Sequence, residues 1–290
     1  MVHGKPRVSI GLAVRNGARF LAESVDSLLA QSYGDFELII SDNASSDQTE
    51  AICRQYAAKD PRIQYYRSPQ DVGLSRNFNS LFLRARGEYF KWAAADDRHK
   101  TDWLARCLDI LEHDREVVLA YGKARYIDEN GAPLEQTDHG YDLRSDAAAE
   151  RLRYAIRASS WVNAIFGLIR SEALAKTHLF PTYPGGDYTV LAELALQGKF
   201  VEIPELLFDR RLHPEASSQN TNNPDFEARL WTASEQKTFP VWNRSKDNFA
   251  IVTRSGLSFW QKLSLGGSVL RTMVTARRRL LAELKTGLFS

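Results

Sequence analysis

Apolar residues come along this chain in short solid blocks, each followed by an amphipathic stretch, and the alternation predicts strand, helix, strand, helix. Val8-Ser9-Ile10-Gly11-Leu12-Ala13-Val14 reads as a buried first strand, closed by Arg15-Asn16-Gly17. Leu21, Val25, Leu28 and Leu29 then recur at helical spacing, with a break at Gly34. Phe36-Glu37-Leu38-Ile39-Ile40 is a second strand, followed by a dense loop of capping residues over 41–47. A helix through Ile52 and Tyr56 leads to a third strand at Ile63-Gln64-Tyr65-Tyr66. Gly73 opens another helix, with Phe78, Leu81, Phe82 and Ala85 on its inner side, and a strand spans 88–94.

Strands alternating with helices of this length predict a parallel sheet with helices on both faces. Ligands of such sheets gather beyond the carboxyl ends of the strands. The loops at 15–17, 42–47 and 95–98 therefore share one rim. Beyond residue 100 the pattern loosens. A helix carrying Leu104, Cys107, Leu108 and Leu111 precedes strands at 117–121 and 123–128, and Ile165-Phe166-Gly167-Leu168-Ile169 reads as a further strand. A helix begins near Asp187 and stops at Gly198, and two short strands are expected around Pro204. From about 214 to 256 the chain is polar and rich in Asn and Ser, and it is then helical to the end.

The rim carries the candidate chemistry. Asp96-Asp97 follows the run Tyr89-Phe90-Lys91-Trp92-Ala93, so two carboxylates leave a buried strand together. Such a pair is costly to desolvate unless a cation or a hydrogen-bond network meets it. Mg²⁺ and Mn²⁺ take one or two carboxylates and complete their shell with substrate phosphates. The competing reading is a helix cap, for which Thr101 and Asp102 are better placed.

Composition narrows the class. The 290 residues are 43% hydrophobic and 26% charged, which is ordinary for a globular α/β chain, and the net charge of +2 gives no reason to expect a nucleic-acid partner. Cys53 and Cys107 lie on helical patterns and read as buried, reduced thiols. No secretory leader is visible at the N-terminus, and no stretch approaches the ~18 to 20 apolar residues of a spanning helix. A cytoplasmic location is the expectation, with contact at the inner face of a membrane as its variant.

Val8 through Asn16, Ser41-Asp42-Asn43-Ala44-Ser45-Ser46-Asp47, Gly73-Leu74-Ser75-Arg76-Asn77, Gly87-Glu88-Tyr89-Phe90 and Asp96-Asp97 together resemble the pattern of glycosyltransferase family 2. Gly186-Asp187 and Arg211-Leu212-His213 with Ser217-Ser218 are similar to the family's later motifs, and the likeness runs over roughly residues 6–220. It implies the GT-A fold: a Rossmann-like, mostly parallel central sheet flanked by helices. A catalytic domain over 1–220 would divide into a nucleotide-binding half (about 1–100) and an acceptor half (about 101–220), with a helical C-terminal extension at 221–290.

The resemblance also implies inverting transfer of a sugar from a nucleotide diphosphate donor, UDP-sugar favoured, to a glycan or lipid-linked acceptor, with Mn²⁺ or Mg²⁺. By position, Asp42 matches the carboxylate that meets the base, and the backbone at Ala13 and the side chains of Asn16 and Arg76 fall beside the nucleotide. Asp97 matches the metal ligand, Asp96 a ligand or donor contact, His213 a further metal or diphosphate contact, and Asp187 the general base. The chain departs from the family's Asp-X-Asp triplet, because Ala94 and Ala95 stand where its first carboxylate would fall. Gly186 likewise replaces a residue that is often acidic.

Read from chemistry alone, one carboxylate facing the donor suffices for a single inverting displacement, whereas retention needs a second as nucleophile. Asp187 suits that role, and a cap of its own helix is compatible with it. Trp161 and Tyr183 are candidates for stacking on an acceptor sugar, against a role as core aromatics. The missing carboxylate raises the alternative of a catalytically silent nucleotide-sugar binding module. A nucleotidyltransferase or a dinucleotide oxidoreductase is disfavoured, since neither a basic Gly-rich loop nor G-x-G-x-x-G follows the first strand. Residues 255–290 form a basic amphipathic pattern with a single acid, Glu283, suited to an anionic membrane or to a homodimer contact.

Overall fold

The structure, a computed structural model, describes residues 4–137, 140–158, 163–216 and 239–288. Strands β1 (Val8–Val14), β2 (Phe36–Asp42), β3 (Ile63–Arg67) and β4 (Tyr89–Ala94) run parallel in the spatial order β3-β2-β1-β4. Helices α1 (Leu21–Leu29), α2 (Thr49–Lys59) and α3 (Leu74–Arg84) make the crossovers. The order reverses at β1, and such a reversal opens a crevice at the carboxyl ends of the flanking strands. Asp42 ends β2 there, and Asp96-Asp97 follow β4.

The sheet continues through the second half. β8 (Leu168–Arg170) joins antiparallel to both β4 and β6 (Val117–Ile127), and β9 (Lys199–Arg211) runs parallel to β6. The two-residue β5 (Arg98–His99) closes the far edge on β9, and β7 (Pro133–Thr137) pairs with β6. Helix α4 (Trp103–His113) precedes β6, α5 (Ala148–Arg157) and the short α6 (Ser171–Leu174) follow, and α7 (Gly186–Gln197) leads into β9.

Three expected boundaries move. The strands anticipated at 117–121 and 123–128 are the single strand β6. Pro204 does not split β9: Gly122 faces Ile203 and Lys123 faces Leu206, so Pro204 and Glu205 form a bulge that removes the proline from the ladder. The expected strand at 165–169 divides: Ile165 and Phe166 end a 3-10 helix, Asn163–Phe166, while Leu168 and Ile169 lie in β8, and the Phe166 carbonyl accepts from Lys91 Nζ at 2.8 Å.

Alternation along the strands sorts two cores. Ile10, Leu12 and Val14 pack with Val25, Leu104 and Leu108 on one face, while Phe90 and Trp92 pack with Leu81, Val190 and Leu191 on the other. Cys53 and Cys107 are buried free thiols, and burial pushes the Cys53 thiol up to about 12. Tyr183 is buried, donating to Asp247 at 2.5 Å, so it is a core residue rather than an exposed platform. Past residue 238, α8 (Pro240–Arg254), α9 (Phe259–Thr275) and α10 (Arg277–Leu288) follow. Ile251, Val252, Leu265 and Val269 enter the same core as Val190, so α8 and α9 are stitched to α7 and α5 rather than hanging free.

Candidate active site

The acidic pair is held by strands remote in sequence. Asp97 is buried, and its Oδ1 accepts the Arg211 N–H at 2.9 Å. It is therefore no cap for α4, whose first-turn flank is Asp102. Burial, and next the neighbouring Asp96 carboxylate, push the Asp97 carboxyl up to about 7, with the Arg210 charge and the Arg211 N–H opposing. Asp96 is half-buried and faces His213, Oδ2 to Nε2 at 3.0 Å. The other ring nitrogen, Nδ1, is buried and has no hydrogen-bond partner among the described residues, and the ring packs on Phe20 at 4.8 Å between centroids.

Arg211 fixes this corner. Its buried guanidinium donates to the Asp96 carbonyl at 2.9 Å and to Glu23, reaches the carbonyls of Asp128 and Glu129, and lies over the Phe20 ring. Beneath the pair, Lys91 is wholly buried, its ammonium 4.3 Å from the Trp103 ring centroid. Burial draws the Lys91 ammonium down to about 7, against the pull of Cys107 and Asp97.

Asp187 stands in the first turn of α7, after Gly185, whose φ of +85° lets the chain turn sharply into the helix. Apolar residues on nearly every side of α7 pin it against α5 and α8, so the carboxylate is carried on a rigid element. Asp187 is half-buried, and desolvation raises its carboxyl above the usual range, opposed by the Tyr188 N–H and the charges of Arg210 and Arg244. Arg210 thus acts electrostatically on both Asp97 and Asp187, which brings the acidic corner and the candidate base into one field.

The nucleotide side of the rim is built from β1 and β2. Ala13 lies between Ser41 and Ala94 in register, and the Asn43 N–H donates to the Val14 carbonyl at 2.8 Å. Asn16 is exposed with a φ of +51°, its N–H donating to Ser45 Oγ and its Oδ1 accepting from the Ser46 N–H. Arg76 is exposed on the first turn of α3. Asp42 is 0% exposed: Oδ1 accepts the Ser45 N–H at 2.9 Å, and Oδ2 accepts the Tyr65 hydroxyl at 2.8 Å. Arg67 Nε lies 3.5 Å from the same Oδ2, so a base approaching that carboxylate meets both Tyr65 and Arg67. Asp47, not Asp42, accepts the Thr49 N–H at the start of α2.

The donor set suits a divalent cation in part. Among the described residues no three His, Cys, Asp or Glu side chains are already gathered for a metal. Asp96 and His213 nevertheless meet, and beside them Asp97 carries a charge disfavoured by burial and by Asp96, which a cation would offset. Two carboxylates, an imidazole and phosphate oxygens make an acceptable shell for Mn²⁺. Sequence reasoning missed Tyr65, Arg210 and Lys91 as members of this neighbourhood. Only Lys91 left a signal, as one charge inside an apolar run. Trp161, Ser217 and Ser218 lie outside the described residues.

Comparison with known proteins follows the same outline. Residues 9–178 match the model of the family described as glycosyl transferase family 2. The chain is 27% identical over 215 residues to a chondroitin synthase of Escherichia coli, covering 73% of this chain and 30% of that protein. In structure it is similar to residues 1–349 of Staphylococcus aureus TarS in complex with UDP-GlcNAc, with a TM-score of 0.72 and 14% identity over 96% of this chain and 79% of that one. It is also similar to the mannosyltransferase PcManGT of Pyrobaculum calidifontis in complex with GDP-Man and Mn²⁺, with a TM-score of 0.55, 17% identity, and coverage of 99% and 88%. The chain spans from 21% to 46% of the length of the first four curated relatives it matches.

Proposed function

Because the chain belongs to glycosyl transferase family 2, we propose that it transfers a sugar from a nucleotide diphosphate donor to a glycan or lipid-linked hydroxyl, with inversion. The observation that carries this reading is the corner beyond β4, where buried Asp97 accepts the Arg211 N–H at 2.9 Å and Asp96 faces His213 at 3.0 Å.

Asp187 is the base. Its desolvated, half-buried carboxylate is more basic than a surface aspartate, so it takes the acceptor proton as the oxygen bonds to the anomeric carbon. The bond from that carbon to the phosphate oxygen breaks, and the electron pair leaves with the nucleoside diphosphate. Arg76, at the start of α3, balances part of that charge. Asp97, Asp96 and His213 would hold the divalent cation, which supplies Lewis-acid stabilisation of the leaving diphosphate. The Mn²⁺ in the PcManGT complex supports a metal of this kind. The backbone at Ala13, with Asn16 and Asp42, forms the nucleoside floor, and UDP is the favoured carrier by the bound donor of TarS. The chondroitin synthase likeness supports a polysaccharide product.

Isothermal titration with UDP-sugars and Mn²⁺, followed by product analysis, tests the proposal. Asp187→Asn should lower transfer by about 10²- to 10⁴-fold while donor binding stays within about twofold. Normal turnover by that variant overturns the base assignment. Binding of donors by the parent chain with no transfer to any glycan acceptor would leave a nucleotide-sugar binding module instead.

A further inference from the structure

Helix α9 turns Leu265, Ser268 and Val269 into the core and leaves Phe259 (71% exposed), Trp260 (74%), Leu263, Leu270 and Val274 in solvent. At about 100° per residue these five fall within roughly a quarter to a third of the helix circumference, opposite the packed side. They are one stripe, not scattered surface residues. No acidic residue occurs between Phe259 and Thr275. Beside the stripe, a recess of about 520 Å³ is lined by Arg153 and Arg157 of α5 and by Ser264, Gly267, Ser268 and Arg271 of α9. Among the described residues, three guanidinium groups and no carboxylate line it. Arg277, Arg278 and Arg279 continue the basic edge into α10, while the nearby acid Glu283 accepts the Val241 N–H at 2.9 Å.

We propose that this face docks in the plane of an anionic bilayer. Phe259, Trp260 and Leu263 enter the headgroup–acyl boundary, and the Arg153–Arg157–Arg271 recess takes a lipid phosphate. An apolar stripe with an aromatic pair at one end and cations along its flank matches a lipid surface, where rings sit at headgroup depth and arginines meet phosphates. A second protein surface would need a large anionic rim around an apolar ridge. Insertion is shallow, because no helix among the described residues is long and apolar enough to cross a membrane. α9 packs on α5, and α5 on α7, so docking here sets the helix bearing Asp187 at a fixed height above the bilayer.

The test is flotation of the full chain with vesicles of phosphatidylcholine alone or with about 30% phosphatidylglycerol. The chain should float with the anionic vesicles, with a blue shift of Trp fluorescence that Trp260→Phe removes. Trp260→Ser with Leu263→Ser should weaken partitioning at least about tenfold. Arg153→Gln with Arg157→Gln should weaken it about twentyfold on anionic vesicles and leave the residual binding to phosphatidylcholine unchanged. Unaltered melting curves exclude unfolding, and because no turnover is read, the result stands apart from the transferase assignment. Failure to bind anionic vesicles, or binding that both double variants retain, overturns the proposal. So does a chain that is dimeric in solution and becomes monomeric with Trp260→Ser, which makes the stripe a contact between copies. Saturable binding of glycerol phosphate by a chain that ignores vesicles assigns the recess to a soluble anion and overturns it equally.

Discussion

Asp96 and His213 are 117 residues apart in the chain, yet Oδ2 of one lies 3.0 Å from Nε2 of the other. The contact ties the exit of β4 to the residues just past β9, and so joins the two halves of the sheet at the rim where the diphosphate is proposed to sit.

That contact should be read out by metal. If Asp96 and His213 hold the cation with Asp97, then His213→Ala or Asp96→Asn should weaken Mn²⁺ binding in the presence of UDP by about 10- to 100-fold. Calorimetric titration of Mn²⁺ into the UDP-saturated protein measures it. Unchanged affinity in both variants would remove the pair from the metal site.

Asp97 should impose a pH dependence on the metal-free fold. Its carboxyl ionises near 3.8 in an unfolded chain and at about 7 here, chiefly through burial and next through Asp96. Below the lower value both states are protonated; between the two only the folded state holds the proton. Folding therefore takes up a proton in that window, and the contribution to stability is lost as pH rises towards 7. Melting temperatures of the parent and Asp97→Asn, compared from about pH 4.5 to 8, should diverge, with the parent falling more steeply. Parallel curves would mean that Asp97 ionises at an ordinary pH.

The Tyr65 hydroxyl occupies the Asp42 oxygen that the proposal gives to the nucleobase. Tyr65→Phe should therefore tighten UDP binding by up to about tenfold, since one competing hydrogen bond is removed. Asp42→Asn should weaken it by about as much. Fluorescence or calorimetric titration with UDP checks both signs. Weaker binding in Tyr65→Phe would make the tyrosine itself a contact for the nucleotide.

The first hundred residues were legible because period and punctuation agreed. β1, β2, β3 and β4 fall where apolar blocks predicted them, and β1 is buried along its whole length as a central parallel strand should be. Past residue 100 the reading failed where long-range pairing overrode a local signal. Pro204 looked like a break, yet a bulge accommodates it once β6 is alongside. Phe166 looked like a strand residue, but its carbonyl turns to Lys91, a partner 75 residues away. The acidic pair and Asp187 could be named from composition and spacing. Tyr65 and Arg210 could not, because what brings them to the rim is the register of strands distant in sequence.

The bulge at Pro204 and Glu205, with a second slip at Leu207, sets the phase of the residues that follow in β9. Consecutive strand residues serve opposite sides, so Arg210 lends its charge to Asp97 and Asp187 while Arg211 locks the Asp96 carbonyl and Glu23. Excising one residue from these irregularities while the pairing of the preceding strand holds would turn the tail over and exchange the sides of two neighbouring arginines. Small irregularities a few residues earlier in the same strand thereby decide which positive charge meets the reactants.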